Sequence, residues 1–414
     1  MTDAIRTARA PTLAGILGDE GLRLFFPLSA LHAALWPLLW AVVNGFALPF
    51  DGAIPPGLWH AHEMLFGSFG AAVLGFITTA IPEWTDSRRL QGRALFALAA
   101  LWGIGRVAGL TGADGAAVVA AVADTAWLAA LPVYVAAVSW RKRTSRLIGV
   151  FLWLSALAVS GAVVHAAFVI GDVERAQAGL HAAGLVLLGL LGLVLARISV
   201  PVTNLVLDPG QGSSPYRPHP GRLNLAPGLV AIALTGEIAG LSPVVSAYLF
   251  IAAGAAFLDR VAESFIGRAV FRAEILALAG SSLMAGAGLL LVGASRLGAG
   301  FAETPALHLA LMGGLGLGVL AVFAIAGLFH TGRTFPLPAA ARLAGALLIG
   351  AVALRVLPEL GVLPAPPGPP HALAALLWAA AFLSWLKVYW PFLSRPRVEE
   401  AAVCRSRGET GEPR

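Results

Sequence analysis

The apolar positions of this 414-residue chain fall in long unbroken runs divided by short polar stretches. They do not alternate with a period of two, which argues against strands and against a membrane barrel. A helix needs about 20 apolar residues to cross a hydrocarbon core of roughly 30 Å. Twelve runs approach that length: 24–45, 59–82, 93–110, 115–138, 146–170, 178–200, 225–241, 243–258, 271–292, 304–330, 339–358 and 371–393. The seventh and eighth are short, with Gly240 and Pro243 between them. The pattern predicts an all-α polytopic membrane protein in three parts: an N-terminal segment 1–23, one helical membrane domain 24–393 and a polar tail 394–414. The longest polar stretch, 208–224, is a loop rich in Gly, Pro and Ser, not a soluble domain. The first apolar run lacks a small-residue cleavage site, so it reads as a retained helix.

Charge supplies the orientation. With a cytoplasmic N-terminus, almost every basic residue falls on the cytoplasmic side, including Arg88, Arg89, Arg93, Arg141, Lys142, Arg143 and Arg146. The other side keeps only Arg106, Arg175, Arg296 and Arg355. This bias predicts two cytoplasmic termini and an even number of spans. Merging the seventh and eighth spans would send Arg260, Arg268 and Arg272 outward, so the two stay separate. The chain is 58% hydrophobic and only 12% charged, with a mean hydropathy of +0.81. That is about half the charge of an ordinary soluble domain and excludes a soluble enzyme. The pI of about 10.2 reads as topology and calls for no nucleic-acid partner. The single cysteine, Cys404, lies in the tail, which leaves no internal disulfide and no thiolate metal site.

Polar groups inside a membrane are costly and need a reason. His60, His62, His165, His181, His308 and His371 fall at the outer ends of five predicted helices, and His32 lies deeper. Only His219 and His330 lie on the cytoplasmic side. Any one histidine is accounted for by water or carbonyl partners at an interface. A whole layer of them points to a metal or haem site, because neutral imidazole is the usual ligand for both.

The run Trp59-His60-Ala61-His62-Glu63-Met64 is the sharpest feature. Residues two apart on a helix face nearly opposite directions, so His60 and His62 cannot easily grip one metal. Met64, one turn after His60, is a soft donor or a core side chain. Glu63 is a carboxylate that can orient an imidazole. Glycines follow His62 at offsets of five and eight (Gly67, Gly70) and follow His308 at the same offsets (Gly313, Gly316). This echo predicts that the second and tenth helices flank a haem held by His62 and His308. Arg106 and Arg355 are the candidate partners of its propionates. His60, His181, His330, His32 and Met64 are the candidate metal ligands. Asp124 and Glu237 are further acids inside spans, able to relay protons or orient a histidine.

Three stretches resemble the NnrS family. WHAHEMLFGSFGAAVLGFITTAIPEWT (59–85) resembles its signature, and ARISVPVTN (196–204) resembles its sixth-helix ending, which carries Arg, Pro, Thr and Asn in that order. HLALMGGLGLGVLAVFAIAGLFHTGR (308–333) resembles its tenth-helix segment. Glu83 stands where the family pattern has asparagine, and Phe329 where it has glycine. The resemblance implies a multi-pass protein of the bacterial inner membrane carrying a b-type haem and copper. It also implies a link to nitric oxide, denitrification and protection against nitrosative stress. Carried over by motif, His60, His62, His308 and His330 lead, followed by Arg197 and Asn204.

Two other function classes fit the span count. A haem–copper-oxidase-like redox protein also spans twelve times, but the chain shows no adjacent His-His pair on its seventh helix. A secondary transporter fits a helix broken at 240–243. Histidines clustered at one face, away from the midplane, fit it poorly. The expected partners are the lipid bilayer and nitric oxide or a related small ligand. No nucleic acid and no particular protein partner is indicated, and the sequence establishes no reaction.

Overall fold

The computed structural model describes residues 11–45, 54–110 and 114–398. Cys404 and the end of the polar tail lie outside the described residues, as do the first ten residues. Among the described residues, eleven helices are long and apolar enough to cross a membrane. In chain order with one short companion they are α1 (Gly21–Gly45), α2 (Pro56–Thr85), α3 (Arg93–Leu110), α4 (Asp114–Lys142), α5 (Ile148–Ile170) and α6 (Val173–Leu207). Then follow α7 (Leu225–Ile238), α8 (Pro243–Val261), α9 (Ala273–Arg296), α10 (Glu303–Phe329), α11 (Ala339–Val356) and α12 (Ala372–Leu393). The short companion is α7, with 14 residues. The protein is an all-α, multi-pass membrane protein.

The seventh and eighth runs are separate helices, and the reason is local. Gly240 adopts a φ of +66°, a left-handed turn that favours glycine. Ser242 then caps α8 by accepting the Val245 N–H, and Pro243 occupies the first turn, where its missing N–H costs nothing.

The most apolar windows of α2, α6 and α10 are 83%, 67% and 72% buried, against at most 50% for the other spans. These three helices therefore form the centre, and the rest surround them. Helix α1 packs on α2 and α12, α4 on α3 and α5, and α8 on α9. Between α1 and α10 the rings of Phe26 and Phe323 stack at 4.2 Å, which fills the middle of the bundle with apolar side chains.

Two of the central helices carry a π-helical insertion that the apolar periodicity does not reveal. In α2 it spans Glu63–Phe69, directly after His62. In α10 it spans Leu309–Leu315, directly after His308. Each ends directly before the second glycine of the sequence echo. A Cβ on Gly70 would lie 2.8 Å from the Trp127 ring, and one on Gly316 would lie 2.5 Å from Trp378. The repeated glycines thus admit a tryptophan from α4 and from α12. Such π segments concentrate at functional sites, because the extra residue re-aims the side chains beside it.

Candidate functional site

Helix direction collects the histidines at one end of the bundle. His62, His181 and His308 lie in the first turns of α2, α6 and α10, and His165 in the last turns of α5. The side chains then separate into three groups.

The first group is fully enclosed. The Nε2 atoms of His62 and His165 lie 3.4 Å apart. Asp124 Oδ2, from α4, lies 3.1 Å from His165 Nε2 and 3.8 Å from His62 Nε2. All three residues are buried, at 1%, 4% and 0% exposure. Ligand atoms about 2.05 Å from a tetrahedral ion stand about 3.3 Å from one another. The three separations bracket that value, so the donors already surround a volume the size of a metal ion.

Neighbours hold these donors in place. His62 Nδ1 donates to Glu63 Oε1 at 3.0 Å, which leaves the Nε2 lone pair directed at the shared volume. Arg106 reaches up from α3 and donates to Glu63 Oε1 at 2.8 Å and also to Asp124 Oδ2. Trp127 Nε1 donates to the other oxygen of Asp124 at 2.8 Å. His32 of α1 joins Glu63 Oε2 at 3.0 Å and Ser68 Oγ at 2.9 Å. Two carboxylates, Glu63 and Asp124, face one guanidinium, Arg106. With the imidazoles neutral, as metal ligands are, one negative charge is left over in a buried site, where an uncompensated charge is costly. The rings of Trp59, Phe66 and Phe168 lie within 5.3 to 5.4 Å of the His62 ring and close the site.

The second group brings α2 to α10 and α11. His60, His308, Arg355 and His371 lie close enough for their charges to interact. His60 stacks on Trp40 at 4.9 Å, and its Nδ1 is buried with no hydrogen-bond partner. His308 Nδ1 donates to the Thr304 carbonyl at 2.9 Å. Arg355 pairs with Glu359, which also lies 3.7 Å from His371 Nε2. Burial pushes the Glu359 carboxyl up, but Arg355 and His371 more than offset this and hold it below the ordinary range. Burial, and then the charge of Arg355, push the His371 imidazole down.

In the third group His181 Nε2 lies 3.6 Å from Glu237 and 3.4 Å from Arg296. Arg296 bonds Glu237 at 2.7 Å and Glu303 at 2.9 Å, and its guanidinium lies over Phe250. This is a network between helices.

The remaining candidates lie apart. His330 sits at the opposite end, with Nδ1 2.7 Å from Glu20 and 3.5 Å from Glu83. Met64 packs among core residues, its Sδ 3.9 Å from Ser68 Oγ. Of the four residues assigned to a haem, Arg106 has its carboxylate partners within the chain, Glu63 and Asp124, and Arg355 has Glu359. His62 is turned toward His165, and His308 toward the His60 side.

The motifs quoted from the sequence supply residues at both ends of this bundle, and a family model described as NnrS protein matches residues 17–397. The chain belongs to the NnrS family. No curated protein matches it. The NnrS signature around 59–85 places His62 and Glu63 in the enclosed site. Two of its other members, Asp124 and His165, lie outside all three quoted motifs. Asp124 was visible as an acid inside a span and His165 as one of the layer. Nothing in their spacing showed that they meet.

Proposed function

We propose that this NnrS-family protein is a metalloprotein of the bacterial inner membrane that binds or handles nitric oxide or a related small ligand. The observation that carries the reading is the convergence of His62, His165 and Asp124 on one ion-sized volume. Copper fits there: two imidazoles suit it, a third donor completes the set, and a cation offsets the leftover negative charge. A b-type haem fits the second group better than the enclosed one. His60 offers a buried ring nitrogen without a partner, His308 lies near it, and Arg355, now paired with Glu359, would exchange that carboxylate for a propionate. When bound, the two groups supply a ligand-binding and electron-transferring centre. The chain's own residues do the rest. Glu63 sets the His62 tautomer, Arg106 clamps two carboxylates from separate helices, and Trp59, Phe66 and Phe168 keep water out.

The test is the absorption spectrum and metal content of detergent-purified protein. A Soret band together with copper is the expected result. Colourless, metal-free protein from haem- and copper-sufficient cells rejects the reading.

A further inference from the structure

At the end of the bundle away from the enclosed site lies a cavity of about 610 Å³. That is within the range of small-molecule sites, roughly 300–1,000 Å³. Four helices build it, α1, α2, α6 and α10, so the three central spans meet a second time here. The ends of all three NnrS motifs converge on it. Glu83 and Trp84 close the first motif, Arg197 and Asn204 bound the second, and Phe329 and His330 come near the end of the third. The enclosed histidine site uses none of these six residues.

The walls divide into two parts. The floor is apolar and aromatic. Phe26, Phe76 and Val322 line it and also line a smaller, wholly apolar pocket of about 70 Å³ deeper in the bundle. The rim is polar and carries both signs of charge. Asp208 is occupied: its oxygens accept from the N–H groups of Gly210 and Ser213 and from the Ser213 hydroxyl. Glu83 faces Arg89 and His330, each at 3.5 Å. Asn204 spends its amide on the Tyr216 backbone, at 2.7 and 3.1 Å. Arg197 is different. Among the described residues it has no carboxylate within salt-bridge distance. Its one hydrogen bond goes to the Arg146 carbonyl, at 3.1 Å, and its guanidinium lies 4.5 Å over the Trp84 ring. A cation stacked on an aromatic keeps its in-plane donors for an anion. Arg197 is thus the rim cation that keeps in-plane donors open toward the cavity, while the two rim carboxylates, Glu83 and Asp208, already have partners.

We propose that this cavity binds an anionic amphiphile, with a carboxylate or phosphate head on Arg197 and an apolar body over Phe26, Phe76 and Val322. The same chemistry is offered by a bilayer lipid and by a free organic acid. The site is independent of the metal reading, because it shares no residue with the histidine groups at the other end.

The experiment uses the full chain in phosphatidylcholine nanodiscs, with decanoate as probe and decanol and inorganic phosphate as controls. Decanoate raises the thermal-unfolding midpoint saturably, and neither control does. Arg197→Gln weakens the decanoate affinity at least tenfold, and metal content stays unchanged. Ala326→Phe, which fills the cavity from α10, does the same and serves if Arg197→Gln fails to fold. Equal effects of decanol overturn the anionic head, and equal effects of phosphate overturn the apolar body. Undiminished decanoate binding in both variants overturns the site. Discs containing phosphatidylglycerol separate the sources: competition with decanoate marks a lipid occupant, and its absence marks a free acid. His62→Ala leaves decanoate binding intact, so failure of the metal reading does not touch this one.

Discussion

His62 and His165 are 103 residues apart in the chain, yet their Nε2 atoms lie 3.4 Å from each other inside the membrane domain. No backbone segment links them locally; α2 and α5 bring them together, and Asp124 of α4 completes the set. His165→Ala should therefore lower bound metal as far as His62→Ala does, to below about a tenth of wild type. His181→Ala should leave it unchanged, since His181 belongs to the Arg296 network. Metal analysis of the purified variants decides this, and full retention in His165→Ala contradicts the assignment.

Among the described residues, Arg106 is the one guanidinium between the two buried carboxylates of this site. Arg106→Met strands both. Removing one partner of a buried ion pair costs about 3–5 kcal/mol. Arg106→Lys should recover part of the loss, because one ammonium cannot span two carboxylates as a planar fork does. The midpoint of thermal unfolding in detergent measures both variants. A loss below about 1 kcal/mol for Arg106→Met would show that the cluster is not held by this residue.

The helices were legible because each crosses the membrane as one apolar run. The break at 240–243 was legible because Gly and Pro announce it. The π segments were not, since inserting one residue in a helix that is apolar all round leaves no mark on its pattern. The site was half legible. His62, Glu63 and Arg106 drew notice as polar groups in apolar surroundings. Their partners could not be named, because Asp124 and His165 approach from other helices. The spacing of His62 and His308 suggested one shared centre, whereas the structure places each beside a different set of neighbours. The echo in their glycines instead corresponds to two similar tryptophan contacts, Trp127 on Gly70 and Trp378 on Gly316.

Glu20 gives the opposite end a pH dependence. It is 1% exposed and lies within 2.7 Å of His330, 3.2 Å of Arg89 and 3.8 Å of Arg397. Burial raises its pKa, but His330, Arg89 and Arg397 more than offset this and hold it below the ordinary 4.5. The folded state thus binds fewer protons than the unfolded state. The contribution is complete above about pH 4.5 and is lost as pH falls through the lower folded value. Wild type should lose more thermal stability than Glu20→Gln between about pH 5 and about pH 3. Parallel melting curves for the two proteins would count against it.

Helices α8 and α9 touch backbone to backbone. A Cβ on Gly254 would lie 2.7 Å from the Gly286 carbonyl, and one on Gly286 would lie 2.7 Å from the Gly254 carbonyl. Neither obstacle is a side chain that can swing away. Gly254→Ala and Gly286→Ala should each destabilise by about 1–3 kcal/mol. Gly57→Ala, with nothing within 4 Å, should stay within about 0.5 kcal/mol. Chemical or thermal unfolding of the three variants separates these cases, and equal stability of all three rejects the close packing.

The enclosed cluster also bears on how the chain enters the bilayer. Helices α2, α3 and α4 each bring one ionised residue to the same depth: Glu63, Arg106 and Asp124. A charged side chain costs roughly 2.5–3.5 kcal/mol to insert at the centre of a lone helix and less toward its ends, where Glu63 and Arg106 lie. Released one at a time into lipid, each helix would carry that penalty; released together, the three charges pair before lipid surrounds them. Pairing among Glu63, Arg106 and Asp124 thus favours joint integration of the three helices over their release one by one.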